Sequence, residues 1–212
     1  MLIGLTGKYC AGKNYAAAIL EKHGLAVLDV DKLGHSALEY KKDEVFSRFG
    51  NEARNQDGSV NRRLLREKVF AKKDAITALE AIVHPQVDRM TLEWIASQKG
   101  KSCVINAALL HRMGIFGQIN CILIVNAPFL TRLLRAKRRD RLSCLQILRI
   151  MMRQKRFSLQ YLAGNADIYI VENLGTKGFL PGSAENKTKL ERQISEILSK
   201  LELENNKNQG GF

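Results

Sequence analysis

The chain has 212 residues, and its 34 Lys and Arg against 21 Asp and Glu give a formal net charge of +13. A 45% hydrophobic share with 16 Gly and only 3 Pro excludes a collagen-like or wholly disordered chain and suits one compact domain with room for an insertion. Its four cysteines (Cys10, Cys103, Cys121, Cys144) lack C-x-x-C spacing, which excludes a disulfide framework and favours a reducing compartment.

Residues 2–6 form a continuous apolar run, the pattern of a strand covered on both faces. No basic segment precedes it, so it does not read as a signal peptide. Directly after it stand Gly7-Lys8-Tyr9-Cys10-Ala11-Gly12-Lys13-Asn14, and a helical pattern then continues over 14–22. Gly7 and Gly12 permit backbone conformations that aim consecutive N–H groups inward, and the following helix directs the positive end of its dipole at the same place. Lys13 is then in reach of the β- and γ-phosphates of a nucleotide. Lys8, Tyr9, Cys10 and Ala11 complete the cradle through their backbone, with Cys10 read as a small filler. Position 14 is Asn where Ser or Thr is usual. Its side-chain carbonyl oxygen is a hard ligand suited to Mg²⁺; the other reading leaves the ion to water and nucleotide oxygens.

A second strand over 25–28 ends at Asp29-Val30-Asp31. A carboxylate beyond the carboxyl end of a strand in an open α/β sheet can face such a loop and deprotonate an attacking hydroxyl. An Asp there also caps the next helix, and two at i, i+2 allow one of each role. Helical patterns follow over 43–49, 62–70 and 76–98, with Leu92, Trp94 and Ile95 read as core and His84 before Pro85 read either as a helix end or as a ligand contact. Strands follow at 103–105, 122–125 and 168–171, and a helix over 185–204 carries Leu190, Ile194, Ile197, Leu198 and Leu201 along one stripe. Strands alternating with helices give a parallel α/β sheet with right-handed crossovers. The long gap between the second and third strands marks a helical insertion. Residues 205–212 read as a frayed polar tail. No apolar run approaches the roughly 20 residues of a membrane span, so a soluble, cytoplasmic protein with no membrane partner is expected.

The charge is concentrated. Between Arg132 and Arg156 there are ten basic residues and one acid, Asp140, leaving +9 in a single stretch. Apolar residues interleave at helical spacing, which predicts two amphipathic helices meeting near Arg139-Asp140. The partner is a polyanion, either nucleic acid or nucleotide phosphates.

These pieces together resemble the dephospho-CoA kinase family. The resemblance spans residues 2 to about 175 and rests on eight motifs in order. They include Ile3-Gly-Leu-Thr-Gly7 with the loop through Lys13, Val27-Leu-Asp-Val-Asp31, Asp57-Gly58-Ser-Val-Asn-Arg62-Arg63-Leu64 and Val69-Phe70. Then come His84-Pro85, Leu109-Leu110, the Ile150–Gln154 segment and Ala166-Asp167-Ile-Tyr-Ile-Val-Glu-Asn173-Leu-Gly175. Two departures stand out besides Arg112, which replaces a frequent Glu: Asn14, and Asn106 where the family often has Asp.

The resemblance implies a P-loop nucleotide-binding fold with a five-stranded parallel sheet. Its core would be about 1–39, 102–131 and 157–204, with an acceptor-binding insertion at about 40–101, a basic lid at about 132–156 and a tail at 205–212. It implies transfer of a phosphoryl group from ATP, with Mg²⁺, to the ribose 3′-hydroxyl of dephospho-CoA. Asp31 would be the general base, with Thr6 and Arg135 around the transferred phosphate and Arg132 in reserve for Arg135. Arg139 would belong to the lid over ATP, Asn173 would lie near the adenine, and Arg62 and His84 would help hold the acceptor. The implied partners are ATP and dephospho-CoA, without nucleic acid, in a monomer or an oligomer. The alternative readings are a nucleoside monophosphate kinase-like enzyme and a nucleic-acid-binding protein that uses ATP structurally.

Overall fold

The structure is a computed structural model that describes residues 1–70, 73–140, 142–154, 157, 161, 166–174 and 184–209. The elements run β1 (Leu2–Gly7), α1 (Lys13–Lys22), β2 (Ala26–Asp29), α2 (Val30–Tyr40), α3 (Lys42–Phe49), α4 (Arg62–Phe70) and α5 (Lys73–Ser97). They continue with β3 (Cys103–Asn106), β4 (Cys121–Asn126), α6 (Phe129–Asp140), α7 (Cys144–Arg153), β5 (Asp167–Glu172) and α8 (Ala184–Gln209). All five expected strands form. They build one sheet in the order β2-β3-β1-β4-β5, with β1 parallel to β3 and β4, and β4 parallel to β5.

The central strands are apolar on both faces, as their continuous runs require: β1 and β3 are buried throughout. The edge strands depart from the expected double coverage. At the edges of the sheet, β2 has only Leu28 buried and β5 only Val171. Among the described residues, no helix is long and apolar enough to cross a membrane.

The chain divides into two compact units. The first comprises 1–27, 101–112 and 116–212, and holds β1, β3, β4 and β5 with the start of β2. Ile3 and Leu5 of β1 and Leu123 of β4 pack there with Ala16, Ile19 and Leu20 of α1. The expected stripe of α8 lands on this core through Leu190, Ile194, Leu198 and Leu201, with Ile197 at its margin. The backbone of α8 continues as helix to Gln209, so residues 205–209 do not begin a frayed tail; 210–212 lie outside the described residues.

The second unit comprises 28–100 with 113–115. Its core is Val45 and Phe46 of α3, Ala53, Val60, and Leu65 and Val69 of α4, with Ile76, Leu79 and Ile82 of α5 packed against it. It includes α2, which packs on α5. The helix that the sequence reading left without a range runs over Val30–Tyr40, directly after β2. Helix α5 passes through Pro85, in line with the pattern over 76–98 and against a helix end at His84. Leu92 is exposed, not core.

Leu123 is fully buried in the middle of β4 and lies in the main core cluster. Leu123→Ala is expected to lower unfolding stability by about 2–5 kcal/mol, measured by urea denaturation.

Candidate active site

The loop between β1 and α1 takes the shape its sequence predicts. Cys10 (φ 59°) and Gly12 (φ 103°) both stand in left-handed conformations, so the chain reverses twice within three residues. Such alternation turns successive N–H groups toward one side and carbonyls toward the other. Gly12 caps α1, and its carbonyl accepts from the N–H groups of Tyr15 and Ala16 at 3.0 and 3.1 Å. Lys13 opens the helix, whose first N–H groups have no intrahelical acceptor. Glycine is needed at two places for contact as well as conformation. A Cβ on Gly7 would lie 2.7 Å from the Val125 carbonyl oxygen of β4, and one on Gly12 would strike the Asn173 side chain.

The carbonyl side of the loop is held from behind. Asn173, just past β5, donates through Nδ2 to the Ala11 carbonyl at 2.8 Å. Arg135 of α6 donates through Nη1 to the same carbonyl at 3.1 Å and through Nη2 to Asn173 Oδ1 at 3.1 Å. Arg135, Asn173 and the loop therefore form one closed network. The guanidinium of Arg135 faces loop carbonyls in this structure.

Arg132 lies one turn earlier on α6. It is buried, its Nε donates to the Ala127 carbonyl at 3.2 Å, and its Nη1 has no hydrogen-bond partner among the described residues.

Tyr9 contributes more than its backbone. Its N–H donates to Gln154 Oε1, just beyond α7, at 2.8 Å, and its hydroxyl donates to the Asp140 carboxylate. Arg139 lies 5.2 Å from the centre of the Tyr9 ring and bonds Asp140 at 2.7 and 2.9 Å. Burial, reinforced by the Asp140 carboxylate, pushes the Tyr9 phenol up to about 12. The ends of α6 and α7 are thus tied to the loop by one aromatic side chain. The expected basic residues Arg141, Lys155 and Arg156 lie outside the described residues, as does Gly175.

Thr6 closes β1, fully buried. Its hydroxyl shares a hydrogen bond of 3.2 Å with the Tyr161 hydroxyl, which lies 3.3 Å from His111 Nδ1. Burial, with Arg112 adding to it, holds the His111 imidazole below its ordinary pKa. Sequence reading missed Tyr161, His111 and Asp140's role, because each is remote in sequence from its partner. The two departures also meet: Asn106 Nδ2 donates to Asn14 Oδ1 at 3.4 Å.

In the second unit the two aspartates divide their roles. Asp29 caps α2, its Oδ1 accepting from the N–H groups of Asp31 and Lys32 at 3.1 and 3.2 Å. Asp31 stands in the first turn of α2 with its side chain exposed. A polar cavity of about 670 Å³ is lined by residues of α2 (among them His35 and Glu39), by Asn55 and Ser59, and by Arg62 and Arg63 of α4. Arg62 lines it; His84, midway along α5, does not.

A family model described as dephospho-CoA kinase matches residues 1–176. The chain belongs to the dephospho-CoA kinase family. It is 30% identical over 205 residues to a dephospho-CoA kinase of Treponema denticola, covering 92% of this chain and 89% of the relative. A crystal structure from Thermus thermophilus matches with a TM-score of 0.75 at 30% identity, over 95% of this chain and 97% of that one. A dephospho-CoA kinase structure from Campylobacter jejuni shares the fold, with a TM-score of 0.68 at 20% identity over 96% and 98% of the two chains.

Asn173→Ala removes two hydrogen bonds of the network behind the loop, each worth about 1 kcal/mol. It is expected to leave the chain folded and to weaken binding of a non-hydrolysable ATP analogue about tenfold, measured by isothermal titration calorimetry.

Proposed function

We propose that this member of the family phosphorylates the ribose 3′-hydroxyl of dephospho-CoA with ATP, giving coenzyme A and ADP. The observation that carries the reading is the loop with left-handed Cys10 and Gly12, set between a buried strand and a helix N-terminus in a chain of this family. Its N–H face suits the polyphosphate, and Lys13 adds a positive charge toward the β- and γ-phosphates. Phosphoryl transfer asks little covalent chemistry of the protein, so positioning and charge supply most of the rate.

Asp31 serves as general base. Its carboxylate takes the proton of the 3′-hydroxyl as that oxygen bonds to the γ-phosphorus, and the bond from phosphorus to the β–γ bridging oxygen breaks to release ADP. Its placement supports this: Asp29 caps α2, and Asp31 stands in the first turn with its side chain exposed. Arg62 and the cavity it lines suit the anionic acceptor, with His84 as a further acceptor contact. Arg139 belongs to the basic helices that serve as a lid over ATP, and Asn173 lies on the adenine side. Arg135, with Thr6 near the transferred phosphate, acts on that group once ATP is bound.

Mg²⁺ fits the donors beside the loop. Asn14 presents a hard amide oxygen there, and beside it the Asn106 Oδ1 is buried without a hydrogen-bond partner among the described residues. When bound, the ion neutralises charge on the β- and γ-phosphates. The two alternative readings, a nucleoside monophosphate kinase and a nucleic-acid-binding protein, draw no support from the comparisons.

The test is ADP release with dephospho-CoA, AMP and adenosine offered in parallel. Dephospho-CoA alone is expected to give rapid turnover, and Asp31→Asn is expected to lower that turnover by about 10²–10⁴-fold with ATP affinity unchanged. Preference for AMP would overturn the substrate assignment, and greater damage from Asp29→Asn would exchange the roles of the two aspartates.

A further inference from the structure

Two of the positions where the chain leaves its family's pattern, Asn14 and Asn106, are 92 residues apart in sequence, yet their side chains meet. Asn106 ends β3, opposite Leu5 of β1, and is 2% exposed; Asn14 is the second residue of α1, with its side chain exposed. The Asn106 Nδ2 donates to Asn14 Oδ1 at 3.4 Å. On the other side of the same amide, Asn106 Oδ1 is buried with no hydrogen-bond partner among the described residues. Leaving a buried carbonyl oxygen unpaired costs about 1–3 kcal/mol, so this end of the amide is a hard oxygen in need of a partner.

A primary amide has two unlike ends, and which end it presents depends on what binds the other. An N–H from position 106 can bond only the oxygen of Asn14. It thereby fixes the Asn14 amide with its oxygen on the Asn106 side, keeping that oxygen's second lone pair available. A carboxylate at position 106 has no N–H to give; it would draw the NH₂ of Asn14 toward itself and turn the oxygen away. Asn14 with Asn106 is therefore a self-consistent pair. The pair is neutral, so it offers geometry and hard oxygens without adding charge.

We infer that Asn106 is a positioning residue that orients Asn14 toward the nucleotide-bound divalent cation, the two acting as one cation-holding unit. The inference rests on the reading of the loop as an ATP–Mg²⁺ site. Outer partners that orient a ligand commonly govern metal affinity by about 10–100-fold. Two residues acting as one unit show non-additive losses when both are removed.

The experiment measures the factor by which Mn²⁺ tightens binding of a non-hydrolysable ATP analogue to the full chain, comparing titrations with the cation and with EDTA. Asn106→Leu keeps the size and removes the donor; it is expected to reduce the factor about tenfold. Asn14→Leu is expected to match it, and the double variant to be no worse than either alone. If Asn106→Leu does not fold, Asn106→Ser is too short to span the contact and serves instead. A factor within twofold of the parent in the position-106 variant, or losses that multiply in the double variant, would overturn the inference while leaving the ATP site standing. Absence of any cation effect in the parent chain would overturn the inference together with the Mg²⁺ reading.

Discussion

The Ala11 carbonyl is the point on which this nucleotide-binding unit turns. A loop that offers its N–H groups to a polyanion must put its carbonyls on the other side, where they repel one another and need donors. Asn173 and Arg135 supply those donors from two different elements, one after β5 and one on α6. The sheet order makes this possible: β4 and β5 lie on the same side of β1, so the chain after β5 ends beside the loop that leaves β1. Gly12 is then required because a side chain there would occupy the place of Asn173.

The same loop also draws in the basic helices. Tyr9 meets Asp140, Arg139 and Gln154 at once, so movement of α6 or α7 relative to the loop must break bonds to a loop residue. Charge on these helices is locally balanced where it is closest to Tyr9: Arg139 pairs with Asp140, which holds that carboxyl below its ordinary pKa. Stability from this pair is complete above the ordinary carboxylate pKa and is lost as pH falls through the lowered one. The exposure of Arg139 keeps that contribution small.

Much of this was legible in the sequence because it depends on residues close together. The loop is written in eight consecutive positions, and the spacing of Asp29 and Asp31 already allowed a helix cap, which Asp29 supplies. The strands were found because central parallel strands are continuous apolar runs. Errors arose where tertiary packing overrides local signals. Helix α2 contains Gly34 and a mixed pattern that hid it, yet it forms because α5 covers one face. Pro85 disfavours helix at the residue before it, yet it sits within one long helix, as the pattern over 76–98 indicated. The contacts of Asn14 with Asn106, of Thr6 with Tyr161, and of Tyr9 with Asp140 join residues 92, 155 and 131 positions apart. No local periodicity carries such information.

The most direct test of the account is a crystal structure of the intact chain with a non-hydrolysable ATP analogue and Mg²⁺. The account predicts the β-phosphate on the N–H face of the loop between residues 10 and 14, with Asn173 still bonded to the Ala11 carbonyl. A β-phosphate seated away from that face, or an Ala11 carbonyl released from Asn173 by the nucleotide, would contradict it.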